Sequence, residues 1–117
     1  MSHKTDVTKQ MAQFFGVLSH PRRIRIIEEL RDGEQDVNSL QFVLGISHSG
    51  VSQHLMVLRA SRLVCERREG RHVFYHLRQP GIADWLLNAT QFLEQGTSEA
   101  GEHRKAINTT RKEWAAD

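Results

Sequence analysis

Cysteine occurs once in the 117 residues, at Cys65, so no disulfide can close within the chain. Proline occurs only twice, and 38% hydrophobic against 26% charged residues is the balance of a folded domain, not of a disordered chain. No apolar run approaches the roughly 18 residues that a membrane-spanning helix needs. The opening Met1-Ser2-His3-Lys4-Thr5-Asp6 has no apolar stretch of the kind a secretion signal carries. A cytoplasmic globular protein is the expectation. Catalytic signatures are also missing. No glycine-rich phosphate loop follows a strand, no histidine pair has metalloprotease spacing, and no nucleophile stands in a strand-to-helix elbow. Neither an enzyme nor a cofactor is expected.

What is there is a periodicity that changes along the chain. Val7, Met11, Phe14, Phe15 and Leu18 recur at helical spacing and predict a first helix with one apolar face. Ser19-His20-Pro21 interrupts it, because the residue before a proline is pushed out of the helical region while proline itself suits a first helical turn. Ile24, Ile27 and Leu30 predict the buried stripe of a second helix that Asp32-Gly33 ends. Arg22, Arg23 and Arg25 crowd its start, the end unfavourable to positive charge, so they need solvent or a nearby anion.

An extended piece over 35–37 leads to Asn38-Ser39, read as capping a short helix that turns Leu40, Val43 and Leu44 inward. Gly45 suits a left-handed stop and Ser47 can cap a new helix two residues later, which makes a helix-turn-helix. In its second helix Val51, Leu55 and Leu58 form an apolar stripe, with His48, Ser49, Ser52, Gln53 and Arg59 opposite. Leu63-Val64-Cys65 and Val73-Phe74-Tyr75 with Leu77 are strand formers on either side of a turn containing Gly70, and predict a hairpin. Ile82, Trp85, Leu86, Ala89, Phe92 and Leu93 return to helical spacing. The fold class expected is mainly α with a small β-hairpin wing, a winged helix-turn-helix.

The net charge of +2 is modest but unevenly spread: Arg59, Arg62, Arg67, Arg68, Arg71 and Arg78 face only Glu66 and Glu69 in that part of the chain. A helix fits the major groove, where Ser49, Ser52 and Gln53 can reach base edges and glutamine can pair bidentately with adenine. Arginines of the hairpin can hold phosphates or enter the minor groove. The candidate DNA-binding residues are therefore His48, Ser49, Ser52, Gln53, His54, Arg59, Arg67, Arg68 and Arg71, with double-stranded DNA the expected partner. His48 and His54 could add pH dependence.

The run Ile46-Ser47-His48-Ser49-Gly50-Val51-Ser52-Gln53-His54-Leu55-Met56-Val57-Leu58-Arg59, then Leu63-Val64 and Arg67-Arg68-Glu69-Gly70-Arg71-His72-Val73-Phe74-Tyr75-His76-Leu77, resembles the ArsR family of winged-helix repressors. Leu18-Ser19-His20-Pro21-Arg22-Arg23 matches as well, so the resemblance spans roughly residues 10 to 95. It implies a homodimer joined through its first and last helices, bound to an operator and released when an effector binds. Apolar faces on those two helices agree with a dimer, and the candidate interface residues are Met11, Phe14, Phe15, Leu18, Trp85, Leu86, Phe92 and Leu93. On this reading residues 1–96 form the DNA-binding and dimerisation domain and 97–117 a tail.

The family's best-known members sense metals, and this sequence departs from both of their sites. Asp36 and Asn38 stand where a pair of cysteines would, and Leu86 stands where a histidine would follow Asp84. No metal site is expected, and the effector is left open between a small molecule, a partner protein and oxidation of Cys65. His72 and His76 share strand parity but have no third ligand in view. Two alternatives stand beside the repressor reading: an architectural or protein-interaction winged helix, and a metal-responsive repressor with a non-standard site. Polar side chains on the recognition helix, where exposed aromatics would suit a protein partner, argue against the first.

Overall fold

A computed structural model describes residues 3–93, 107 and 109–113, and the chain divides into two compact units, 1–79 and 80–117. The first unit runs α1 (His3–Leu18), α2 (Pro21–Glu29), β1 (Gln35–Asp36), α3 (Val37–Leu44), α4 (His48–Ala60), β2 (Val64–Glu69) and β3 (His72–Leu77). His20 ends the break after α1 and caps α2: its backbone is extended and its Nδ1 accepts from the Arg22 N–H at 3.2 Å, with Pro21 in the first turn. Burial on α2 centres on Ile26, Ile27 and Leu30, while Ile24, expected in the stripe, is only half-buried. Two of the three arginines at its start, Arg23 and Arg25, find acceptors within the fold. Arg25 pairs with Glu28 and Glu29 one turn on, each at 2.9 Å, and Arg23 donates to the Val17 carbonyl at the end of α1.

Helix α3 starts earlier than predicted. Asp36, not Asn38 or Ser39, is its cap, and the Asp36 carboxylate accepts the Ser39 N–H at 2.8 Å. Aspartate caps as well as asparagine or serine does, and it sits where β1 ends, so the chain turns directly from strand to helix. Leu40 is buried and Leu44 half-buried, but Val43 is 40% exposed: the packed edge of this short helix runs through the two leucines one turn apart. Gly45 stops it at φ 67°, with its N–H on the Gln41 carbonyl, and Ser47 accepts the Gly50 N–H at 3.1 Å to begin α4.

Helix α4 ends in the same left-handed way, without glycine. Arg62 has φ 60°, its N–H bonds the Arg59 carbonyl at 3.0 Å, and the Leu63 N–H reaches back to the Leu58 carbonyl at 2.9 Å. The sheet that follows is antiparallel, in the order β1-β3-β2. Strands β2 and β3 pair from Val64↔Leu77 to Glu69↔His72, so Gly70 and Arg71 alone form the turn. Gly70 carries the positive φ, 60°, that the first position of a tight II′-type hairpin requires. Gln35↔Tyr75 and Asp36↔Phe74 add β1 as a short third strand.

Leu18, Ile26, Ile27, Leu30, Leu40, Val51, Leu55, Leu58, Val64 and Leu77 make the core of this unit. Every one of its helices and both hairpin strands contribute, which holds α4 and the hairpin on one scaffold. In the second unit α5 (Gly81–Ala89) tightens into a 3₁₀ turn over Thr90–Leu93 where one continuous helix was expected. The Thr90 hydroxyl donates to the Leu87 carbonyl at 2.6 Å, a local bond that competes with regular helix. The expected tail, 97–117, lies outside the described residues except for 107 and 109–113, which are helical. Among the described residues no helix is long and apolar enough to cross a membrane.

Candidate nucleic-acid interface

Val51, Leu55 and Leu58 are at most 1% exposed, so they fix the rotation of α4 about its own axis. The opposite side is thereby committed to solvent: His48, Ser49 and Gln53 are exposed and Ser52 is half-buried. Ser47 and Ser49 hydroxyls lie 3.2 Å apart across the first turn. The exposed side carries hydrogen-bonding groups of the kind that read base edges. At the hairpin tip Arg71, with Ser52 and His48 of α4, borders one shared recess, so three residues separated in sequence come together.

The other predicted arginines have different surroundings. Arg67 makes a two-pronged pair with Glu34, Nε to Oε2 at 3.1 Å and Nη2 to Oε1 at 2.6 Å, and a third bond to Glu69 at 2.8 Å. It also lies over the Phe74 ring at 4.8 Å. This bonding holds the Glu34 carboxyl below its usual range and the guanidinium above its own. Arg59 pairs with Glu66 at 3.2 Å, and Arg68 approaches the same carboxylate at 3.7 Å. Of the six arginines between 59 and 78, only Arg62, Arg71 and Arg78 make no side-chain ion pair among the described residues.

His54, named among the candidate DNA-binding residues, is half-buried and already engaged: its ring lies 4.4 Å from that of His20 and its Nδ1 accepts from Arg23 Nε at 3.3 Å. One turn from His54, Leu58 is fully buried, and the side chain shares the edge of that inward arc. Burial first, then His20, Arg23 and Arg22, lowers its pKa from the ordinary 6.5.

The fold recurs in known proteins. The family model for bacterial regulatory proteins of the arsR family matches residues 20–65. An uncharacterized HTH-type transcriptional regulator of Mycobacterium tuberculosis is 38% identical over 78% of this chain and 81% of its own length. A transcriptional repressor SmtB homolog of Synechocystis is 43% identical over 77% of this chain and 68% of its own. A homodimeric winged helix-turn-helix DNA-binding domain from Mycobacterium bovis superposes with a TM-score of 0.69 at 27% identity, covering 80% of this chain and 92% of that one. The chain belongs to the ArsR family of bacterial regulatory proteins. It is a DNA-binding transcriptional repressor and not an enzyme.

As an ArsR-family protein it invites comparison with metal-sensing members, and its residues do not fit. Asp36 has its carboxylate on the Ser39 N–H, which also draws its pKa down, and Asn38 offers only a neutral amide. Cys65 is half-buried in β2, and among the described residues no three His, Cys, Asp or Glu side chains converge as a metal site would need. The faces expected to pair with a second copy remain largely uncovered. Met11 is 51% and Phe15 45% exposed on α1, and in the second unit Trp85, Phe92 and Leu93 are 44%, 68% and 56% exposed. Phe14 and Leu86 are half-buried, whereas Leu18 is buried in the core of the chain itself and is not available to a partner. Sequence reasoning missed Glu34 as the holder of Arg67, because 33 residues separate them and nothing local marks the pair.

Proposed function

We propose that this repressor is a cytoplasmic homodimer that occupies a near-palindromic operator and leaves it in response to a signal other than a metal ion. The observation that carries the reading is the α4 surface: a helix rotated by three fully buried side chains so that His48, Ser49, Ser52 and Gln53 line its outer side, beside Arg71, which makes no ion pair among the described residues. In the major groove Gln53 and the serines reach base edges, and Arg71 holds phosphate. Arg59, Arg67 and Arg68 are balanced by Glu66, Glu34 and Glu69, which hold them in place, so they offer positioned hydrogen-bond donors at the DNA surface without net charge. The exposed apolar faces of α1 and of the second unit support dimerisation, as does the homodimeric M. bovis relative. Half-sites then lie about 10 base pairs, or a multiple of that, apart.

Fluorescence anisotropy against operator and random DNA, with light scattering for mass, tests this. Gln53→Ala should cost on the order of 1–3 kcal/mol at the operator and relax preference at one base position. Arg71→Ala should weaken both DNAs alike and reduce the salt slope by about 1. A monomeric mass at micromolar concentration, or parental operator affinity for Gln53→Ala, would contradict the reading.

A further inference from the structure

The recess shared by α3, the start of α4 and the hairpin is a cavity of about 290 Å³. That is the lower edge of the range for small-molecule sites, about 300–1,000 Å³, and far more than the roughly 30 Å³ a water occupies. It would admit a ligand about the size of one substituted ring. Its lining is mixed in a specific way. Val37, Val73 and the Tyr75 ring supply apolar wall, and the backbone pairing of Tyr75 with Gln35 fixes one side of it. Burial, followed by the charge of Glu66, raises the Tyr75 pKa, so its phenol stays protonated and can donate.

Charge is placed at two points. Arg71 lines the cavity and, unlike Arg59, Arg67 and Arg68, makes no ion pair among the described residues, and His48 and His72 stand on the same lining. Asp36 is the single acid there, ionised and with one oxygen given to Ser39. An oxyanion on Arg71 gains a charge-assisted, two-pronged bond. A hydroxyl elsewhere on the same ligand finds the remaining lone pairs of Asp36.

We propose that this cavity binds a small organic oxyanion that also carries a hydroxyl, and that its occupation and operator binding exclude one another. The exclusion follows from position: His48, Ser52 and Arg71, which border the cavity, are also the side chains that the proposed function turns toward DNA. The inference rests on that reading for its regulatory half. Ligand binding itself does not depend on it, so the two can fail separately.

The experiment uses the full chain with 4-hydroxybenzoate, its neutral isostere 4-hydroxybenzamide, and 4-hydroxyphenyl phosphate, at matched ionic strength. Binding is read by amide chemical shifts without DNA. The carboxylate should perturb residues around 36–38, 48–52 and 71–75, and the amide should bind at least about tenfold more weakly, as the loss of a charge-assisted bond implies. Binding of 4-hydroxyphenyl phosphate in place of the carboxylate would identify the oxyanion as a phosphate. Val73→Phe, which fills the apolar side, should abolish those shifts while retaining a cooperative melt. In anisotropy the carboxylate should lower operator affinity at least about fivefold for the parent and not for Val73→Phe. Shifts scattered over the basic surface, or equal binding of acid and amide, would overturn the site. Localised binding that leaves operator affinity unchanged would overturn the exclusion alone, and absence of sequence preference in the unliganded protein would instead count against the proposed function.

Discussion

Arg62→Gly should make the protein more stable. Arg62 sits at φ 60° after α4, a conformation that crowds the Cβ of any L residue against its neighbouring carbonyl and costs roughly 1–2 kcal/mol. The cap it serves is backbone-only, through the Arg62 and Leu63 N–H groups, and glycine would keep both bonds. Its side chain is exposed and makes no hydrogen bond or ion pair among the described residues, so little is lost with it. Against the relief stands the greater freedom of glycine in the unfolded chain, roughly 0.4–1 kcal/mol. The difference is a gain of about 0.5–1 kcal/mol, or roughly 2–5 °C in Tm for a chain of this size. Gly45→Ala is the mirror experiment. Gly45 ends α3 at φ 67°, and a Cβ there meets nothing within 4 Å, so its loss of similar size comes from the backbone alone. Urea unfolding at fixed protein concentration, with midpoints compared at unchanged slope, reads both. If Arg62→Gly is no more stable than the parent while Gly45→Ala is destabilised, strain at Arg62 is offset by something its side chain does, and the argument fails.

His54 predicts a pH effect of definite sign. Its folded pKa is held below 6.5, so the unfolded chain binds more protons in that window, and stability should fall as pH drops from about 6.5 through the folded value. His54→Gln should flatten this part of the curve, and a variant with the parental slope would place the titration elsewhere. Glu34→Gln and Arg67→Gln should each speed amide exchange in the hairpin 64–77, with the double variant adding little beyond the larger single effect. Independent, additive effects would mean the pair does not act as one. Zinc, cadmium or arsenite at one equivalent should leave operator affinity unchanged, and Cys65→Ser should bind and release DNA as the parent does. A loss of about tenfold with any of them would reveal a metal site assembled from distant residues.

Much of the fold was legible because its signals are local. Proline after His20, glycine at 45, serine at 47 and the glycine of a two-residue hairpin each impose a backbone conformation by their own chemistry. The stripe of Val51, Leu55 and Leu58 was legible for a similar reason, since three residues at helical spacing define a face wherever the helix is placed. The errors have a common form. Asp36 as the cap, Val43 as exposed and Ile26 as core were missed because each depends on which edge of a short helix meets its neighbours, and helices of eight or nine residues carry too few turns to declare it. The third strand was read only as an extended piece, because two residues cannot show alternation.

The basic cluster was the least legible part, and the reason reaches to function. Counting charges between 59 and 78 finds four excess positives, but the fold brings in Glu34 from before β1 to take Arg67, and Glu66 faces both Arg59 and Arg68. A stretch that looks uniformly cationic is thus divided into arginines with a fixed position and arginines without one. Surface pairs of this kind contribute little to stability, so their value lies in geometry. Arg67, held between Glu34 and Glu69 and resting on Phe74, ties β2 to the segment that leads into α3. That tie sets where the hairpin stands relative to α4, and therefore how far Arg71 reaches over the recess it shares with His48 and Ser52. On the proposed reading, an arginine that already has its anion positions the wing, and Arg71, which has no ion pair among the described residues, takes the phosphate, or the ligand, that arrives.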